Sequence, residues 1–164
     1  MATVILDTTV LSNFAHIRRP DLLHHAFGHN ANTAPAVIAE LRTGEMLGVV
    51  PRCDWRQLHI VVLTEDEQRL AVHYLSQLDE GESACLAVAT SRSWTFATDD
   101  LAARRLAQHG GVAVSGSLGA LRALVVSRYL LLDEADKYLA MMCDHGYRSP
   151  VRSLRELMDP SILP

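Results

Sequence analysis

The sequence has a single lysine, Lys137; every other basic side chain besides histidine is arginine. Arginine can grip phosphate through two parallel hydrogen bonds, although arginine together with abundant alanine is equally the mark of a composition bias. The formal net charge is −4, which excludes a protein that binds nucleic acid over its whole surface. Cysteine is scarce. Cys53, Cys85 and Cys143 are odd in number and irregularly spaced, so they form neither a disulfide framework nor a CxxC zinc pair. They suit a reducing compartment, and a cytoplasmic location is expected. No apolar run reaches the ~18 residues needed to span a bilayer; the longest candidate, LGALRALVVSRYLLL, is broken by Arg122 and Arg128. No leader is expected either, because the first residues lack a basic segment and Asp7 falls inside the apolar stretch a signal peptide would need. Internal repeats and low-complexity linkers are also missing.

What is present is an ordinary globular composition, 49% hydrophobic and 21% charged over 164 residues. A chain of this length buries roughly two-thirds of its unfolded surface and needs no metal or disulfide to fold. Short apolar runs alternate with amphipathic stretches, a pattern that predicts α/β architecture: about five mostly parallel strands in a three-layer α/β/α sandwich. Strands are expected at 2–6, 32–34, 58–63 (LHIVVL), 94–98 (WTFAT) and 112–116 (VAVSG). Helices are expected from Thr8, over PDLLHHAF, and from Pro35, with Val37, Ile38, Leu41 and Leu47 at helical spacing. Thr64 and Glu67 form a capping-box pattern ahead of the next helix. GESACLAVATSR reads as a helix with small residues on its face, made to lie close against a sheet. DDLAARRLAQHGG is a helix stopped by Gly110 and Gly111, and further helices are expected over SLGALRALVVSRYL, DEADKYLAMMCDHG and SPVRSLRELM.

Ligands of open parallel sheets bind beyond the carboxyl ends of the strands. There the sequence places acids. Asp7 ends the first strand, and Asp99 and Asp100 end the fourth. Glu40 lies in PAVIAEL and Glu82 in GESACLAVA, both in otherwise apolar helices. Each has a plain structural explanation: an Asp after a strand caps a helix, Glu82 complements a helix dipole, and Glu40 suits an exposed face. Converging at one sheet edge, they would repel one another by ~1 kcal/mol per pair at 4 Å in water, and by several times that in a cleft. Protonation or a divalent cation relieves such a cluster. Oxygen-only ligands favour Mg²⁺ or Mn²⁺, and such a site suits phosphoryl transfer.

The ordered pieces ILDTTVLSNF, PAVIAEL, DEGESACLAVA, FATDDLAARRLA and VSGSLGAL resemble the PIN-domain family, from residue 2 to about residue 125. LLDEADKYLAMMCDHGYRSP is similar to the tail of a bacterial and archaeal PIN subgroup carrying a GE motif. The resemblance implies one PIN-like domain over 1–164, with 126–164 a helical C-terminal extension. It implies a metal-dependent ribonuclease that holds Mg²⁺ or Mn²⁺ and cuts single-stranded RNA. Many such proteins are VapC-type toxins, restrained by a small antitoxin and dimeric through their helices. By position, Asp7 matches the first acid, Glu40 the second, Glu82 the third, and Asp99 or Asp100 the fourth. Asp7, Glu82 and Asp99 or Asp100 are then expected to hold metal, and Glu40 to bind a second ion or orient water. Thr9 stands where many relatives carry Asn. Ser115 and Ser117 lie in a loop that could hold an acid or a phosphate, and Arg104 and Arg105 could approach an RNA backbone.

Other signals are weaker. His25 and His29 have the spacing of a zinc-binding helix face beside His24, but Gly28 interrupts it and no third ligand is evident. Arg18 and Arg19 are placed as phosphate contacts or solvated charges. Met141 and Met142 read as packing residues. A haloacid-dehalogenase-type phosphatase would need a second Asp where Thr9 stands and a suitably placed lysine; a response-regulator receiver fails for similar reasons. A PIN-like module that binds RNA or protein without catalysis is the remaining alternative.

Overall fold

Val4–Leu6 (β1) is apolar and buried at all three positions, as a central parallel strand covered on both faces must be. The computed structural model describes residues 2–158; Met1 and residues 159–164, included in the expected domain, lie outside the described residues. β1 pairs with β2 (Ala31–Thr33) on one side and β4 (Thr95–Ala97) on the other, while β3 (His59–Ile60) and β5 (Val114–Ser115) form the edges. All pairings are parallel, in the order β3-β2-β1-β4-β5. This is the α/β sandwich the sequence predicts, with a sheet that is wholly parallel.

The helices are α1 (Thr8–His16), α2 (Asp21–Phe27), α3 (Pro35–Met46), α4 (Glu65–Tyr74), α5 (Glu80–Arg92), α6 (Leu101–His109), α7 (Ser117–Val126) and α8 (Leu132–Asp144). α1, α2, α7 and α8 pack among themselves, α5 packs on β1 and β4 and against α4 and α6, and α3 touches both α1 and α5. From Gly81 to Ala89 every residue of α5 is buried. Its small side chains let a helix surrounded on all sides come close to the sheet. Among the described residues, no helix is long and apolar enough to cross a membrane.

Several expected elements are shorter in the structure: β1, β4 and β5 cover Val4–Leu6, Thr95–Ala97 and Val114–Ser115 where 2–6, 94–98 and 112–116 are expected. The strand anticipated over 58–63 pairs only at His59–Ile60. Its partner β2 has three residues, and beyond it Val61 can reach only the Thr33 carbonyl, at 2.9 Å. Ile60 and Val62 therefore face solvent on an edge strand. The terminal helix anticipated over 149–158 is a 3-10 turn, Leu154–Leu157, capped by Ser153.

The register positions the chemistry. Leu6 lies opposite both Thr33 and Ala97, so the residues that follow β1 and β4 emerge side by side. β2 and β3 extend from β1 in one direction and β4 and β5 in the other, which makes the gap between β1 and β4 the point where the winding reverses.

Candidate active site

Asp7 continues the ladder of β1: its N–H donates to the Ala97 carbonyl at 3.1 Å. Its side chain then caps α1. Oδ1 accepts from the Thr9 N–H at 3.0 Å, the Thr9 hydroxyl at 2.7 Å and the Val10 N–H at 3.3 Å. Oδ2 is buried and has no hydrogen-bond partner among the described residues, while the Thr98 side chain nearby favours the anion. Burial pushes Asp7 up to about 7. Thr98, Thr9 and Val10 pull the other way, and the charge of Asp99 adds to the rise.

Thr9 joins the two strand ends, because its hydroxyl also accepts the Asp99 N–H at 2.9 Å. Asp99 is held from three directions. Oδ1 accepts from the Ser117 N–H at 2.9 Å; Oδ2 accepts from the Ser117 hydroxyl at 2.5 Å and from Asn13 Nδ2 at 2.9 Å. Burial raises its pKa against those bonds. Gly116 is required here by close approach, since a Cβ would press into Asp99 Oδ1 and lie 3.1 Å from the Thr98 carbonyl. Asp100 turns the other way, and its Oδ1 caps α6 through the Ala103 N–H at 2.8 Å.

The glutamates come from helices. Glu82 and Asp79 form a reciprocal capping box at the start of α5. Burial first, then the charges of Asp79, Asp100 and Glu40, push Glu82 up to about 7. Glu40 reaches from α3 to both neighbouring helices: Oε2 accepts from the Thr8 hydroxyl and Oε1 from the Gly81 N–H at 2.8 Å. One turn into α5, the Cys85 thiol points at the Leu6 carbonyl, 3.6 Å away. Burial drives that thiol well up, and the charges of Asp7, Glu40 and Asp79 add to it. All five predicted acids thus lie around the carboxyl ends of β1 and β4, with Asp79 as a sixth.

A family model for the PIN domain matches residues 3–160, nearly the whole chain. The chain belongs to the PIN domain family. No curated protein and no solved structure matches it. PIN domains are generally nucleases that use divalent metals, which gives this PIN domain a nuclease-type function with a nucleic acid as substrate.

The donor set of this PIN domain fits such a metal in kind. It is all oxygen, it contains the unpartnered Asp7 Oδ2, and it holds Asp7 and Glu82 at pKa values where a cation competes with a proton. Among the described residues, no three acids, histidines or cysteines are drawn close enough together to hold an ion as they stand.

The remaining candidates of this PIN domain separate clearly. Arg104 is part of the scaffold: its Nη1 donates to the Thr98 and Ser115 carbonyls at 2.8 and 2.6 Å, tying β4 to β5. Arg105 is exposed on α6. Ser115 contributes its carbonyl, while its hydroxyl lies against Gly119. Gly28, at φ +59°, separates His29 from α2, and His24 meets His25 and His29 edge-on at 6.1 and 5.6 Å while His25 stacks on Tyr129. Arg19 is committed to Asp21 and Tyr138, Arg18 is exposed, Met142 is buried and Met141 exposed. Asn13, Asp79 and Thr98 are contributors the sequence reading does not single out. The available signals were a polar residue on the buried face of α1 for Asn13, and capping-box spacing to Glu82 for Asp79.

Proposed function

We propose that this PIN domain is an Mg²⁺- or Mn²⁺-dependent endoribonuclease acting at the carboxyl ends of β1 and β4. The observation that carries the reading is the Asp7 carboxylate: one oxygen is fixed by three donors, and the other is buried without a partner beside the acids of the neighbouring strand. Asp7, Glu82 and Asp99 or Asp100 would hold the ion. Bound there, it would supply an activated water and screen the charge that develops on the phosphate.

The protein's own groups divide the work. Thr9 fixes Asp7 Oδ1 and the Asp99 backbone together, so the two strand ends keep one spacing. Asp99 has both oxygens engaged by Asn13 and Ser117 and serves best to orient its surroundings. Asp100 has only Oδ1 engaged, in its cap, and offers the freer carboxylate. Glu82, with a pKa near 7, can hold or release a proton at neutral pH. Glu40 has both oxygens engaged by Thr8 and Gly81, and sets where the start of α5 stands relative to the start of α1.

The likeness to VapC-type toxins and to the GE-motif subgroup supports a further reading: a cytoplasmic toxin, homodimeric, restrained by a small antitoxin. A small DNA-binding protein encoded immediately upstream would support that arrangement. A second reading is a binding module without catalysis, favoured by the open spacing of the acids. Labelled single-stranded RNA incubated with Mg²⁺ or Mn²⁺ decides between them. Wild type should cut and Asp7→Asn should not. Equal cutting by both would remove the reaction from this site, and RNA binding with cutting by neither would establish the binding module.

A further inference from the structure

Two clefts open beside the acids, of about 480 and 460 Å³, and they share four lining residues: Asp99, Leu101, Tyr147 and Arg148. The first runs along the β5–α7 loop past Ser115 and Gly116; the second runs along α1 past Thr9, Asn13 and His16. Tyr147 and Arg148 belong to the turn after α8, so the C-terminal extension closes over the sheet edge and divides the groove in two.

That turn is held firmly on both sides. The His145 and Tyr147 N–H groups both donate to the Met142 carbonyl, at 3.1 and 3.0 Å. Gly146 takes φ +101°, which the reversal requires. The Tyr147 ring is half-buried against the core, and beyond Arg148 the Ser149 hydroxyl closes on the Val151 carbonyl at 2.6 Å. Between these anchors the Arg148 side chain is exposed, with no hydrogen bond or ion pair among the described residues. The other arginine of the two clefts, Arg104, is committed to carbonyls of β4 and β5. An acidic site in a chain of net charge −4 repels a polyanion. A guanidinium on a fixed backbone, free at its tip and lining both clefts, counters that repulsion at the mouth of the site.

We propose that Arg148 grips a phosphodiester of single-stranded nucleic acid, so that the strand crosses Tyr147 from one cleft to the other and lays the next linkage over Asp99 and Asp100. This rests on the nuclease reading for what lies below the strand, but its test does not depend on cleavage. Binding of a fluorescent single-stranded RNA, and of a DNA of the same sequence, is measured in EDTA in the Asp7→Asn background, where neither cleavage nor metal enters, across a salt series. Arg148→Ala should weaken binding about fivefold to tenfold at low salt, equally for unrelated sequences. It should also reduce the slope of log Kd against log salt by about 0.7, the change for one lost phosphate contact on a single strand. Arg148→Lys should recover the slope and part of the affinity. A folding defect would leave the slope of the remaining folded protein unchanged. Equal affinity and slope for Arg148→Ala, or no binding of either strand by the Asp7→Asn parent, overturns the proposal. Cleavage by the wild type together with unchanged Arg148→Ala binding would sink this inference while leaving the nuclease reading standing.

Discussion

Gly81 donates its N–H to Glu40 at 2.8 Å, and the Glu40 carboxylate occupies the space a Gly81 side chain would need: a Cβ there would lie 2.5 Å from Oε2. A residue on α3 thereby dictates what α5 can carry ahead of Glu82. Gly81→Ala pushes the end of the Glu40 side chain aside and breaks its bond to the Gly81 N–H. That loss outweighs the about 1 kcal/mol by which alanine is the better helix former, so the protein should be destabilised by about 0.5–1 kcal/mol net. In the Glu40→Ala background the obstacle is gone, and the same substitution should be neutral or slightly stabilising. Urea denaturation of the four proteins checks this, and additive effects would sink the assignment.

The Asp7 carboxyl gives the metal-free protein a particular pH response. Its ordinary value is 3.8, and in the folded protein burial raises it to about 7. The folded state therefore holds this proton more tightly than the unfolded chain does. The stabilisation is complete below about pH 3.8 and is lost as pH rises through about 7, a change of roughly 2–4 kcal/mol. Glu82, raised to about 7 from 4.5, acts in the same direction. Wild type minus Asp7→Asn stability, measured in EDTA between pH 4 and pH 8, should fall across that window. A flat difference would mean that Asp7 titrates at an ordinary pH.

Adding Mg²⁺ or Mn²⁺ to the metal-free protein should raise its melting temperature, more at pH 8 than at pH 5, where protons compete for the same oxygens. At a hundredfold excess over Kd the gain is about 2.7 kcal/mol. EDTA should reverse it and Asp7→Asn should abolish it. A metal shift that survives in Asp7→Asn would place the ion elsewhere.

Asn13 donates to both Asp99 and Ser117, from a buried position on α1. Asn13→Ala should cost about 1–2 kcal/mol of stability and lower RNA cleavage about tenfold, as losing a partner that holds the surroundings of a metal site does. Asn13→Asp should be worse in both respects, because it adds an anion beside Asp99. Cleavage kinetics and thermal melts on the same preparations separate the two effects.

The parts of this protein legible in the sequence are those written in local pattern. The apolar run ending at Asp7, the Thr64–Glu67 capping box and the small-residue face of α5 each state their own structure within a few residues. LHIVVL carries strand propensity throughout, whereas the paired length of β3 is set by β2, some 27 residues earlier by register. The acids were legible as candidates; their surroundings were not. The Asn13–Asp99, Glu40–Gly81 and Ser117–Asp99 bonds join residues 86, 41 and 18 apart, and nothing in the local sequence of either partner announces the other. The doubled Asp is the clearest example: which of Asp99 and Asp100 is clamped and which caps α6 follows from the positions of α1 and α7.

The gap between β1 and β4 also has a consequence in time. Asp7 is made long before the strand that completes its surroundings, Thr95–Ala97, and the clamp on Asp99 waits for Ser117. Until then β1 has an open edge toward the unmade β4, and the acids have no fixed spacing. The carboxylates therefore take up one spacing only once the chain has passed Ser117, long after their first member is made.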